Sequence, residues 1–237
     1  MNLWQAALMV GVVMVGAGLV LLLRFENRKL TNLLVAFSGA FLLSLIFLHL
    51  LPPVFSTDLP MHGGFFVLGG FCIQLFLEYL SGGVEHGHDH AHGHGHRGFP
   101  LMIFIGLSLH AFLEGMPIGH LDHEHNHSLL VGILLHKLPV AVVLTVMLRE
   151  AGLPPLRVGF WLLLFGLMSP MGSWAFGIIE GWGALQPEQW VAAATGVLVG
   201  ILLHVATTIL FEGSEGHKYN GLKLLVLAAG LLLGGLV

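Results

Sequence analysis

The chain reads as a succession of apolar stretches separated by short polar or Pro/Gly-rich breaks. They fall at about Leu3–Leu23, Asn32–Leu51, Gly63–Leu80, Phe99–Gly119, Ser128–Leu148, Leu156–Ile179, Trp190–Phe211 and Leu222–Val237. A helix crossing the hydrocarbon of a bilayer needs about 20 apolar residues, so the pattern predicts an all-α integral membrane protein. Its eight transmembrane helices form one domain over 1–237. The first run has no basic residue ahead of it and is about as long as a full span, which predicts a retained helix rather than a signal peptide.

The positions of the basic residues orient these helices. With the N-terminus outside, the inside loops hold Arg24, Arg28, Lys29, Arg97, Arg149, Arg157, Lys218 and Lys223, which with Lys137 are all the Lys and Arg of the chain. The outside loops hold Asp58, Asp122, Glu124, Glu180 and Glu188 and no basic residue. Positive residues mark the cytoplasmic side, so the expected topology is N-out and C-out in an inner or plasma membrane.

Composition sharpens this picture. Of 237 residues, 56% are hydrophobic and 9% charged, against roughly 25% charged in soluble domains, and mean hydropathy is +0.88. Little chain is left for a soluble domain. The net charge of −4 comes with no basic block, which excludes nucleic acid as a partner. Cys72 is the single cysteine and forms no internal disulfide. The 33 glycines predict close helix packing, because small residues let backbones approach where lipid supplies no hydrophobic drive. A second copy of the chain is an admissible partner.

Ionisable groups inside a span are costly unless paired or facing a cavity, so each is a candidate for function. The fourth span carries His110 and Glu114, whose spacing of four places them on one helix face. The fifth carries His136, Lys137 and Pro139. His110 and His136 lie about nine and eight residues from the outer ends of their helices, hence at similar depth at about 1.5 Å per residue. Two imidazoles and a carboxylate make a reasonable set of zinc ligands. Pro117 and Pro139 would each interrupt a helix and free a carbonyl there. The competing reading is a His-Glu pair that only ties the two helices together.

Weaker candidates surround this cluster. His49, near the outer face, is either a metal-admitting ligand or an interfacial residue, whereas Glu78 and His204 mark either an exit path or a helix-helix hydrogen bond. The inside loop, residues 85–97, holds His86, His88, Asp89, His90, His92, His94 and His96, a composition that binds and buffers metal. The outside loop, residues 120–127, holds His120, Asp122, His123, Glu124, His125 and His127 and reads as a metal-collecting vestibule.

At these residues the chain resembles the ZIP family of zinc and iron transporters. The resemblance rests on His49-Leu-Leu-Pro52, the histidine-rich loop, His110-x-x-x-Glu114-Gly115 and His136-x-x-Pro139. It implies a three-plus-two-plus-three arrangement, in which the first and last three helices are inverted repeats around the fourth and fifth. It also implies elevator-like carriage of a divalent ion, zinc first, with Fe2+, Mn2+ and Cd2+ admitted. Where the family usually carries further ligands, this chain has Ala111, Lys137 and Val140. Lys137 then stands where a second metal would sit, its charge offsetting Glu114. Three classes are open at this point: a transporter that moves metal into the cytoplasm, a metal sensor or non-transporting scaffold closed by a Lys137–Glu114 pair, and a membrane metalloenzyme. The last is disfavoured by the lack of a His-Glu-x-x-His motif and of a spare carboxylate beside the ligands.

Overall fold

The computed structural model describes residues 1–23, 28–81, 100–121, 123–183, 185–212 and 221–237. Among these the regular structure is helical: α1 (Leu3–Leu23), α2 (Arg28–Leu45), a π-helical turn (Ile46–Leu50), α3 (Leu51–Ser56), α4 (Gly63–Ser81), α5 (Leu101–Gly115), α6 (His123–Glu150), α7 (Pro155–Glu180), α8 (Pro187–Glu212) and α9 (Gly221–Gly234). Helices are what lipid demands, since each backbone donor finds its acceptor within the same segment. α2, the π turn and α3 run on as one rod. Pro52 and Pro53 sit in the first turn of α3, where a missing N–H costs little.

The eight apolar runs thus become eight rods. Among the described residues six helical stretches are long and apolar enough to cross a membrane, and the other two, α5 and α9, are shorter apolar helices of 15 and 14 residues. Large apolar side chains face outward over much of the bundle, among them Phe65, Phe76, Leu156, Phe160 and Leu232.

Helix pairing divides the bundle in two. α1 packs on α6 and α7, and α5 on α7; α4 packs on α8, and α2 on α8 and α9. Exchanging α1 with α7, α2 with α8, α4 with α9 and α5 with α6 maps the main pairs onto one another, which is the relation expected of a repeat around a central pair. Within each half, helices touch backbone to backbone at glycine. A Cβ on Gly172 of α7 would lie 1.9 Å from the Phe112 carbonyl oxygen of α5, and one on Gly200 of α8 would lie 1.9 Å from that of Val67 on α4. Between the halves, contact is made by side chains. Leu42, Leu45, Ile46 and Leu50 meet Leu129, Leu130 and Ile133 of α6 and Leu198 and Leu202 of α8 in one core cluster. A second cluster joins Val13, Phe104, Leu107, Ala141, Leu144, Leu162 and Phe165 from α1, α5, α6 and α7.

Several polar contacts gather the predicted outer loops and both chain ends at one end of the bundle. Ser128 Oγ donates to the Val237 carbonyl at 2.7 Å, and Gln189 Nε2 to the Asp58 carbonyl at 2.7 Å. Gly119 abuts Met1, and His120 pairs with Glu180.

Two expectations are corrected here. α5 ends at Gly115, so Pro117 lies beyond the helix rather than inside it, and the reversal is made by residues 116–120 with Gly119 at φ +86°. A positive φ of this kind is readily adopted by glycine. Because the turn is finished so early, α6 begins at His123, and residues 123–127 of the expected loop are its first turn. Asn126 Oδ1 accepts from the Gly119 N–H at 2.6 Å and ties that turn to the reversal.

Candidate metal site

α5 and α6 bring His110, Glu114, His136 and Lys137 together in the interior, each 4% exposed or less. The local sequence explains the burial. On α5, His110, Ala111, Glu114 and Gly115 are all buried, and Gly115 and Gly172 let the α5 and α7 backbones touch. Ser169 Oγ and Ser173 Oγ of α7 donate to the Ala111 and Ile118 carbonyls, both at 2.6 Å, and fix the end of α5 and its turn. On α6, Pro139 lies within the helix just beyond His136 and Lys137.

Lys137 Nζ donates to Glu114 Oε2 at 2.7 Å and lies 5.4 Å from the centre of the Phe165 ring. The other carboxylate oxygen, Oε1, and both ring nitrogens of His136 are buried without a hydrogen-bond partner among the described residues. Buried polar atoms are nearly always satisfied, so three such unpartnered polar atoms within one cluster single it out. The His110 and His136 rings stand edge to face with centroids 6.0 Å apart. Two imidazoles sharing a tetrahedral zinc, at about 2.0–2.1 Å from each nitrogen, have centroids about 5 Å apart, so the pair is about 1 Å wider than a shared ion needs. Among the described residues no three His, Cys, Asp or Glu side chains are gathered tightly enough to hold a metal ion in this conformation.

His110 has a neighbour that reading the sequence passed over. Its Nδ1 lies 2.9 Å from Oε1 of Gln74, a fully buried residue of α4. An amide in the midst of Phe71-Cys-Ile-Gln-Leu-Phe was the available signal.

The outlying candidates do not converge on this cluster. His49 lies on the π turn with its Nε2 buried and without a partner among the described residues. His120 is committed to α7: its Nδ1 is 2.9 Å from Glu180 Oε2, its Nε2 3.2 Å from the Ser173 carbonyl oxygen, and its ring stands edge-on to Phe176. His125 and His127 are in the first turn of α6, His127 exposed; His123 and Glu124 are there too, with side chains outside the described residues. Asp122 lies outside the described residues, as does the whole histidine-rich stretch with His86, His88, Asp89, His90, His92, His94 and His96. Glu78 and His204 pair with one another between α4 and α8, Glu78 Oε2 on His204 Nε2, with Phe71 edge-on to the imidazole.

An all-helical bundle of apolar rods with imidazole and carboxylate buried inside it is the architecture of a polytopic membrane protein. The comparison with known proteins makes the class specific: the family model described as ZIP Zinc transporter matches residues 82–237. The chain belongs to the ZIP zinc transporter family, a family of transporters rather than enzymes. It is 33% identical over 135 residues to Zinc transporter ZIP1 of Takifugu rubripes, covering 56% of this chain and 43% of that protein. To Zinc transporter ZIP1 of Homo sapiens it is 27% identical over 176 residues, 69% of this chain and 54% of that protein. To Zinc transporter ZIP9 of Micropogonias undulatus it is 29% identical over 188 residues, 71% and 59% respectively. The chain thus spans about half the length of the curated relatives it matches.

Proposed function

We propose that this protein carries divalent metal, zinc first, across a membrane into the cytoplasm, binding it between α5 and α6 at His110, Glu114 and His136. The observation that carries this reading is the cluster itself: two imidazoles and a carboxylate buried together, with Glu114 Oε1 and both His136 nitrogens unengaged among the described residues. Nitrogen and oxygen donors of this kind favour zinc over manganese or magnesium, and Fe2+ and Cd2+ are further cargo. The names of the relatives, zinc transporters, point the same way. Binding needs a modest rearrangement, because the imidazoles must close by about 1 Å and the ion must share Glu114 with the Lys137 ammonium. In this reading Lys137 supplies one fixed positive charge where a second ion would otherwise sit, so the site holds a single metal.

The orientation follows from charge. The acidic loops and chain ends share one end of the bundle, and by the positive-inside rule that end is external. The ion then approaches near His49 and the start of α6, and leaves past Glu78 and His204 toward the histidine-rich stretch, which buffers metal on the cytoplasmic side.

One observation favours a second reading, a ZIP-like sensor or non-transporting scaffold. The 2.7 Å bond from Lys137 to Glu114 occupies one oxygen of the carboxylate the ion needs. Radioactive zinc uptake into liposomes separates the two. A transporter gives flux in the parent protein, whereas a locked scaffold gives none in the parent and some in Lys137→Ala.

A further inference from the structure

The hydrogen bond between α4 and α5 assigns a role to a residue outside the motif-bearing helices. Gln74 Oε1 lies 2.9 Å from His110 Nδ1, and Gln74 is fully buried. A carbonyl oxygen only accepts, so in this arrangement Nδ1 carries the proton and the lone pair of the neutral ring belongs to Nε2. A metal-binding histidine is commonly held this way, its second nitrogen donating to a fixed oxygen that sets tautomer and ring plane. Here the oxygen comes from α4, which packs chiefly on α8 and also on α5, while α5 packs chiefly on α7. The α4 backbone at this level is held in turn, because Gly70 and the Val197 carbonyl touch and so do Gly200 and the Val67 carbonyl.

We propose that Gln74 is the positioning residue for His110, holding the imidazole in the Nδ1–H tautomer so that Nε2 is the nitrogen offered to zinc. It acts through His110 and does not itself touch the ion. This rests on the reading of His110 as a metal ligand. A side chain that merely fills space at position 74 behaves differently under substitution. For packing alone, Gln74→Leu is mild and Gln74→Glu is harmful, since it buries a charge. For positioning, the order reverses: glutamate keeps an oxygen that accepts from Nδ1–H, as carboxylates commonly do behind metal-bound histidines, and leucine keeps none.

The test is zinc uptake by the full chain in proteoliposomes, measured over a range of zinc concentrations for the parent, Gln74→Leu, Gln74→Glu, His110→Ala and the His110→Ala/Gln74→Leu double variant. Thermal melting accompanies each, and Gln74→Met serves as a second apolar variant should leucine prevent folding. The expected result is that Gln74→Leu raises KM about 10- to 100-fold, that Gln74→Glu stays close to the parent, and that His110→Ala abolishes uptake with or without the Gln74→Leu change. Parent-like KM in the apolar variants, or a Gln74→Glu variant impaired more than Gln74→Leu, overturns the proposal. The two readings fail separately. If His110→Ala abolishes uptake while Gln74→Leu is silent, Gln74 has no positioning role and the metal site stands. A parent without flux, or His110→Ala with normal flux, removes the site and the proposal with it.

Discussion

Replacing Lys137 by methionine keeps most of the side-chain volume against Phe165 and removes the charge 2.7 Å from Glu114 Oε2. Two opposite effects follow. Without zinc, Glu114 becomes a buried carboxylate with no counter-charge, and breaking a buried pair from one side costs about 3–5 kcal/mol. With zinc, the same substitution removes a repulsion. An ion on Glu114 Oε1 would stand about 5 Å from the ammonium, and a double and a single positive charge at that separation repel by about 7 kcal/mol at an effective dielectric of about 20. A fifth of that is tenfold in affinity. The assay is thermal melting of detergent-purified parent and Lys137→Met across a zinc titration, with His86 to His96 replaced by serine in both so that the histidine-rich stretch is silent. The variant should melt several degrees below the parent in chelator, recover in zinc, and bind zinc at least tenfold more tightly. Adding Glu114→Gln should restore the zinc-free melting temperature and abolish the gain in affinity. A Lys137→Met protein that melts with the parent in chelator and binds zinc no better would refute the claim that this ammonium and the ion compete for one carboxylate.

Two further outcomes test the frame around the site. Gly172→Leu would drive a side chain into the Phe112 carbonyl, where even a Cβ would lie 1.9 Å away; overpacking of this kind costs about 1–3 kcal/mol or more, and size-exclusion chromatography of the purified variant should show loss of folded protein. Deleting His86 through His96 should leave zinc flux largely intact and lower the number of ions bound at equilibrium, and complete loss of flux in a folded deletion would place that stretch in the pathway.

The apolar runs announced the eight rods because lipid leaves the backbone so few choices, and their centres were legible to within a few residues. The ends were less so. Nothing local distinguishes the histidines of 123–127 as helix rather than loop; that is decided by Pro117 and Gly119, which complete the reversal before them. Pairings across the bundle were legible only where both partners carried charge. The Lys137–Glu114 pair, named in the scaffold reading, is present, because two opposite charges buried in neighbouring spans have few alternatives. For Glu78 and His204 the sequence offers an exit path or a helix-helix hydrogen bond with no partner named, and the two pair with one another. Gln74 was passed over because a neutral amide in an apolar run names no partner, and its imidazole lies on the following rod. For His120 the sequence names only its acidic and histidine neighbours, while the carboxylate it meets, Glu180, is brought from the far end of α7.

The most direct measurement of the central claim is zinc uptake into proteoliposomes by the parent chain and by His110→Ala, Glu114→Ala and His136→Ala, each verified as folded and inserted. Saturable flux is expected in the parent and its loss in all three variants, since each removes one of three buried donors. Near-parental uptake in all three would show that zinc crosses by another route.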